Sequence, residues 1–153
     1  MSEWVYGTVN PFGESREVAD HLVEVTNPDD LVFVAGSEPQ IYYYAQRKSS
    51  TRFIITYPLN SPTPYREQYQ RELISDLEKN PPQAIVLSQR SHSGLWYEGS
   101  PQIFMDYFME LISKNYGVRG GYVWESDRGY WQEPIDDNLI QTASLLLLTR
   151  KND

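Results

Sequence analysis

The stretch DLVFVAGSEPQIYYYAQRKSSTRFIITYPL, residues 30–59, decides the reading of the chain. Leu31-Val32-Phe33-Val34-Ala35 is an unbroken apolar run, the pattern of a strand buried on both faces. Gly36-Ser37 then turns the chain. Ser37 and Gln40 have the spacing of a capping box, with Pro39 tolerated in the first turn of the helix that follows. That helix carries Ile41, Tyr44 and Ala45 on one side and ends near Arg47-Lys48, two cations suited to the negative end of its dipole. Residues 52–57, containing Phe53-Ile54-Ile55, read as the next strand, and the proline-rich residues 58–64 stop it.

The same alternation extends in both directions. Before the first strand, Val18, Leu22 and Val25 form the stripe of an amphipathic helix over residues 14–25, which Asn27-Pro28-Asp29-Asp30 ends. After the loop, Tyr65, Tyr69, Leu73 and Leu77 recur every four residues, with Ile74 beside them, until Pro81-Pro82 stops the helix. Ala84-Ile85-Val86-Leu87 is a third strand, and residues 89–99 are a polar loop. Ser100-Pro101 opens another helix with Ile103, Phe104, Tyr107, Phe108, Leu111 and Ile112 inward. Gly117 stands where a left-handed cap is expected. Residues 117–125 and 143–150 both read as strands, separated by a polar excursion over residues 126–142. They are expected to pair antiparallel at one edge of the sheet.

Helices between strands return the chain to the same end of a sheet, so the pairing should be mostly parallel with helices on both faces. The expected fold is α/β: a three-layer, Rossmann-like sandwich, mostly parallel, with an antiparallel strand pair at one edge. At 153 residues the chain fits a single domain.

Composition narrows the chemistry. There is no cysteine, which excludes disulfides and thiolate metal sites. A net charge of −8 without clustered Lys and Arg argues against nucleic acid as a partner. The longest apolar run, Leu145-Leu146-Leu147-Leu148, falls far short of the roughly 20 residues that span a bilayer. No charged-then-apolar leader opens the chain, so a soluble domain is expected. Aromatic residues make up 14% of the chain and gather near segment ends and loops, where rings with polar tips suit interfaces and sugar stacking as well as the core.

The motifs for familiar α/β chemistries are incomplete. The first strand-to-helix turn has one glycine where dinucleotide binding needs three, and Glu38 would repel phosphate. No cofactor is expected. Lys48-Ser49 follows a helix instead of preceding one, so it is no phosphate loop. Ser88-Gln89-Arg90-Ser91-His92-Ser93-Gly94 bears Ser and His after a strand but lacks the first glycine of a nucleophile elbow. It leaves open a hydrolase using Ser88 or Ser91 with His92. His21, on a helix among charges, cannot make a zinc site with His92 alone. The pairs Asp29-Asp30 and Asp136-Asp137 suit turns and caps better than calcium. Gly36-Ser37 and Gly99-Ser100 each precede a helix at the carboxyl edge of the sheet, where ligands of open α/β sheets gather. A sugar phosphate there would meet Ser37, Arg90, Trp96, Tyr97 and Ser100: the rings to stack, Arg90 to pair with phosphate, the turns to offer N–H groups.

Residues 30–59 also resemble the soluble carboxy-terminal domain of bacterial polytopic membrane glycosyltransferases related to the dolichyl-phosphate-mannose–protein mannosyltransferases. The features are an Asp before the first strand, the Gly-x-Glu-Pro-x-Ile-Tyr turn, Ala-x-Arg late in the helix and Thr-Arg-Phe after it. YREQYQRELISDLEKNPPQAIVL, residues 65–87, is similar as well, and the likeness spans roughly residues 10–116. The resemblance implies a piece of a longer protein that moves a sugar from a polyprenyl-phosphate carrier to an acceptor, with Met1 not the native start. It implies a place on the extracytoplasmic face of the inner (cytoplasmic) membrane. The partners implied are the membrane-embedded part of the same protein and a polyprenyl-phosphate sugar or glycan acceptor. The family's catalytic acid lies in the membrane portion, so no catalytic residue carries over and the domain alone is expected to be inactive. A protein-interaction module using the exposed aromatics is the remaining alternative.

Overall fold

A computed structural model describes residues 12–151 except Gly94 and Trp96. Helix α1 (Phe12–Glu24) leads into β1 (Leu31–Ala35), α2 (Gln40–Ala45) and the two-residue β2 (Lys48–Ser49). A short α3 (Tyr57–Asn60) and the long α4 (Arg66–Lys79) precede β3 (Ala84–Ser88). A 3-10 turn (Ser91–Ser93) and α5 (Ile103–Asn115) follow. The chain ends in β4 (Tyr116–Glu125), β5 (Arg128–Gln132), α6 (Asp137–Ile140) and β6 (Leu145–Arg150).

The strands form an open, mixed six-stranded sheet in the order β2-β1-β3-β6-β4-β5. β2, β1 and β3 are parallel neighbours, whereas β6 is antiparallel to both β3 and β4, and β5 is antiparallel to β4. β1 to β4 therefore run one way, and β5 and β6 the other. Helices pack against both faces. Val32, Val34, Ala84, Val86, Leu145 and Leu147 meet Val18, Leu22, Ile41 and Ala45 of α1 and α2. Phe33, Ala35, Ile85, Leu146 and Leu148 meet Leu73 and Leu77 of α4 and Phe104 and Phe108 of α5.

Four expectations need correction. The antiparallel pair of residues 117–125 and 143–150 forms, but not at the edge: β6 is inserted between β3 and β4. The physical reason is the leucine run, whose alternate side chains enter both cores, so that β6 needs a neighbour on each side. The edge goes to β5, from the supposed polar excursion, whose residues are half-buried or exposed. The second strand is also misplaced. The pairing with β1 is made by Lys48–Ser49, and residues 52–56 are irregular, with Phe53 buried but Ile54 and Ile55 exposed.

The helix expected from Ser37 begins at Gln40, with no side-chain cap. Instead Gln40 Nε2 donates to Ser15 Oγ of α1 at 3.0 Å, tying the two helices. Gly117 caps nothing. α5 ends on the extended Tyr116, and Gly117 already lies in β4.

Arg47 does complement helix ends, at two helices. Its guanidinium is buried and donates to the carbonyls of Ala45 at 3.1 Å and Thr26 at 2.9 Å, and to Thr26 Oγ1 at 2.9 Å. Asp136 N-caps α6 by accepting from Asn138 N–H, and Asp30 accepts from Asn27 N–H, the turn roles expected of the acid pairs.

Candidate functional site

β1 and β3 are adjacent and parallel, with β2 beyond β1 on the other side, so the chain leaves their carboxyl ends in opposite directions and a crevice opens between the exits. Glu38 fills it. Its carboxyl group is buried and accepts from Ser88 Oγ at 3.0 Å and Ser93 Oγ at 3.1 Å. Burial pushes the Glu38 carboxyl above the usual carboxylate range, while the two serine hydroxyls and the charge of Arg90 pull it part of the way back. Ser93 Oγ also accepts from the Ser37 N–H at 2.9 Å, stitching the turn after β1 to the loop after β3.

Gly36 makes this packing feasible. A Cβ there would lie 2.5 Å from Ser93 Oγ and 2.7 Å from Ser88 Cβ, and would run into the Glu38 carboxylate. The clearance that a bare glycine gives a pyrophosphate in dinucleotide-binding turns is here taken by the protein's own side chains.

A second buried carboxylate is tied to the same loop through Arg90. Glu14 of α1 receives Arg90 Nη1 on both oxygens, at 3.0 and 2.8 Å, together with Trp124 Nε1 and, at 3.3 Å, Ser144 Oγ. Arg90 thus joins the loop after β3 to α1 and β4. A cation held in this way is a structural clasp, since an incoming anion would have to compete with a carboxylate already in place.

On the α4/α5 face runs a groove of about 480 Å³. Met105, Phe108 and Ile112 of α5 form one wall, and Leu87, Leu146 and Leu148 of the sheet form the floor. Ser88, Gln89, Arg90 and Ser91 line its mouth at the carboxyl edge, and Met109 stands at its rim, 54% exposed. Volume and lining suit an elongated apolar ligand with a polar end.

The five residues proposed from sequence divide into groups. Ser37 and Arg90 both adjoin the Glu38 cluster. Ser37 N–H is used by Ser93, its hydroxyl accepts from Thr56 N–H at 3.1 Å, and Arg90 is engaged by Glu14. Tyr97 and Ser100 sit together further along the loop. Tyr97 N–H donates to Ser100 Oγ at 3.1 Å, and the Tyr97 ring stacks on Tyr57 with centroids 6.3 Å apart. Trp96 lies outside the described residues, as does the side chain of His92.

Ser88, offered as a nucleophile, donates its hydroxyl to a buried carboxylate. His21 stacks on Trp131, centroids 4.3 Å apart, beside Glu24. Among the described residues no cluster of three or more His, Asp or Glu side chains could hold a metal ion.

Sequence reasoning did not single out Glu14, which entered only as the first residue of the helix expected over residues 14–25. Nor did it find the groove: Phe108 and Ile112 of its α5 wall were counted as core, and Met105 and Met109 were not singled out. The spacing of Met105, Met109 and Ile112 marks one helix face, but only tertiary packing shows that this face lines a groove among the described residues.

No protein-family model, curated protein or solved structure matches this chain. No described helix is long and apolar enough to cross a membrane.

Proposed function

We propose that this chain is an accessory, non-catalytic domain of a polyprenyl-phosphate-sugar-dependent membrane glycosyltransferase, turned toward the lipid-linked donor or the glycan acceptor. In this reading the architecture is a three-layer, Rossmann-like sandwich with an antiparallel extension. The domain stands on the extracytoplasmic side of the cytoplasmic membrane, and its partner is the membrane-embedded part of the same protein. The observation that carries the reading is the groove beside α5: an apolar channel with a polar mouth, suited to a prenyl chain whose phosphate stays at the rim. The polar residues at the crevice support a holding role, because Arg90, Ser88 and Ser93 are bound to Glu14 and Glu38 and need no substrate to satisfy them.

Titration of isotopically labelled protein with a short-chain polyprenyl phosphate, the parent prenyl alcohol and free hexoses tests this reading. Both prenyl ligands should shift the methyl signals of Met105, Met109 and Leu146, at affinities of about micromolar to millimolar. Met109→Lys, which places a charge at the rim, should abolish the shifts without unfolding the domain. Absence of shifts at millimolar ligand, or shifts confined to the opposite end of the sheet, would overturn it. Turnover of simple esters that is lost in His92→Ala would favour a stand-alone hydrolase instead.

A further inference from the structure

The groove along α5 has two unlike ends. The polar residues described along it, Ser88, Gln89, Arg90 and Ser91, all belong to the end of β3 and its exit at the carboxyl edge. From there the lining is apolar to the opposite end, where Ile112, Leu148 and Val118 stand. Strand pairing fixes this direction. Leu146 is level with Leu87 near the carboxyl end of β3, and Leu148 is level with Val118 near the start of β4. α5 carries the chain from the carboxyl end of β3 back to the start of β4, so Met105 lies on the mouth side and Ile112 on the far side.

These elements also set the length. Met105 and Ile112 stand seven residues apart on α5, about 10.5 Å along the helix axis. On the floor, Leu146 and Leu148 are two residues apart, about 7 Å along β6. An isoprene unit advances a chain by four carbon–carbon bonds of about 1.5 Å, or about 4–5 Å in projection. The apolar lining therefore has the length of about two units. Val118, at the far end, is 39% exposed, so among the described residues the groove opens there instead of meeting a wall.

We infer that the groove reads the first two isoprene units of a prenyl phosphate, with the phosphate at residues 88–91 and the later units leaving over Val118. The inference rests on the reading of the groove as a prenyl site and adds which part of the chain is recognised. Each of the first two units exchanges water for the side chains of α5 and the sheet, and affinity rises with each. Units beyond them pass the end of the lining and add little. Selection then depends on the chain next to the phosphate, and total length is left free.

Dissociation constants of dimethylallyl, geranyl, farnesyl and geranylgeranyl phosphate, measured by NMR below their micellar concentrations, test it. Geranyl phosphate should bind about tenfold or more tighter than dimethylallyl phosphate, and the two longer ligands should stay within about threefold of geranyl phosphate. Methyl signals should move in order of depth: dimethylallyl phosphate shifts those of Met105 and Leu146, and geranyl phosphate also those of Ile112 and Leu148. Ile112→Trp, which fills the far half of the groove, should bring geranyl phosphate down to the affinity of dimethylallyl phosphate and leave the latter unchanged. Should that variant fold poorly, the length series on the native protein decides alone. Affinity that climbs tenfold with every unit to geranylgeranyl phosphate, or that falls beyond geranyl phosphate, would overturn the inference while leaving the prenyl site standing. Undiminished binding of geranyl phosphate by a folded Ile112→Trp protein would do the same. Should none of the four bind at millimolar concentration, the reading of the groove as a prenyl site falls together with it.

Discussion

Replacing Gln70 by methionine removes hydrogen bonding while nearly conserving volume, and it strikes the joint between three helices. Gln70 lies in the middle of α4 and is fully buried. Its Nε2 donates to the carbonyls of Leu59 at 2.9 Å and Pro101 at 3.1 Å and to Asn60 Oδ1 at 3.2 Å, while its Oε1 accepts from Phe104 N–H at 2.9 Å. Three acceptors on one side and a donor on the other fix the amide orientation. The Phe104 N–H belongs to the first turn of α5, where helix donors lack intrahelical partners, so α4 caps α5 through this side chain. Methionine would strand the Leu59 and Pro101 carbonyls and the Phe104 N–H. Each such group costs about 1–3 kcal/mol when left buried and unpaired. Since two amide hydrogens are shared among three acceptors, the summed loss should be about 3–5 kcal/mol, a large part of the 5–15 kcal/mol or so typical of a domain. Guanidinium denaturation followed by circular dichroism would show a lower midpoint at unchanged slope. Gln68→Met, on the exposed side of the same helix, should stay within about 0.5 kcal/mol. A loss below about 1 kcal/mol for Gln70→Met would refute the reasoning.

The other predictions concern the carboxyl edge and the helix ends. Gly36→Ala should destabilise by about 1–3 kcal/mol, because its Cβ meets Ser88 and Ser93 in a packed crevice; a melting temperature equal to the native protein's would contradict this. The folded Glu38 carboxyl titrates above its ordinary value of 4.5, so its buried charge erodes stability as pH rises from about 4.5 through the raised folded value. Glu38→Gln should accordingly gain on the native protein across that window and keep its advantage at neutral pH, and melting curves recorded against pH that showed the opposite slope would sink the assignment. Arg47→Met should cost about 2–4 kcal/mol by leaving the Thr26 and Ala45 carbonyls without their donor, read from urea midpoints, and a neutral result would show that water replaces the guanidinium.

Local chemistry made much of the fold legible in the sequence. The run from Leu31 to Ala35, the stripe through Leu73 and Leu77, the stop at Pro81-Pro82 and the turn acids Asp30 and Asp136 each act over a few residues, and each appears where expected. The same rule that buried β1 applied to Leu145-Leu146-Leu147-Leu148, and a run apolar on both faces belongs inside a sheet. Strand order escaped because it depends on which neighbours are present: β6 is internal because β3 and β4 pair with its two sides, and the half-buried β5 takes the edge beyond β4. Phe53-Ile54-Ile55 failed for the converse reason, since apolar character cannot distinguish a side chain buried by a partner strand from one left facing solvent.

The candidate site lay still further from view. Glu14, Glu38, Arg90, Trp124 and Ser144 are spread over 130 residues of separation and meet only because α1, two strand exits and β4 converge at one end of the sheet. Sequence by itself determined the longer helices and strands β1, β3, β4 and β6 with their inward faces, through propensities and periodicities that operate over one or two turns, but not β2, β5 or the short helices. Tertiary structure alone decided the order of the strands, the burial of Glu38 and the groove along α5. Those depend on distant segments, whose desolvation and pairing no local pattern encodes.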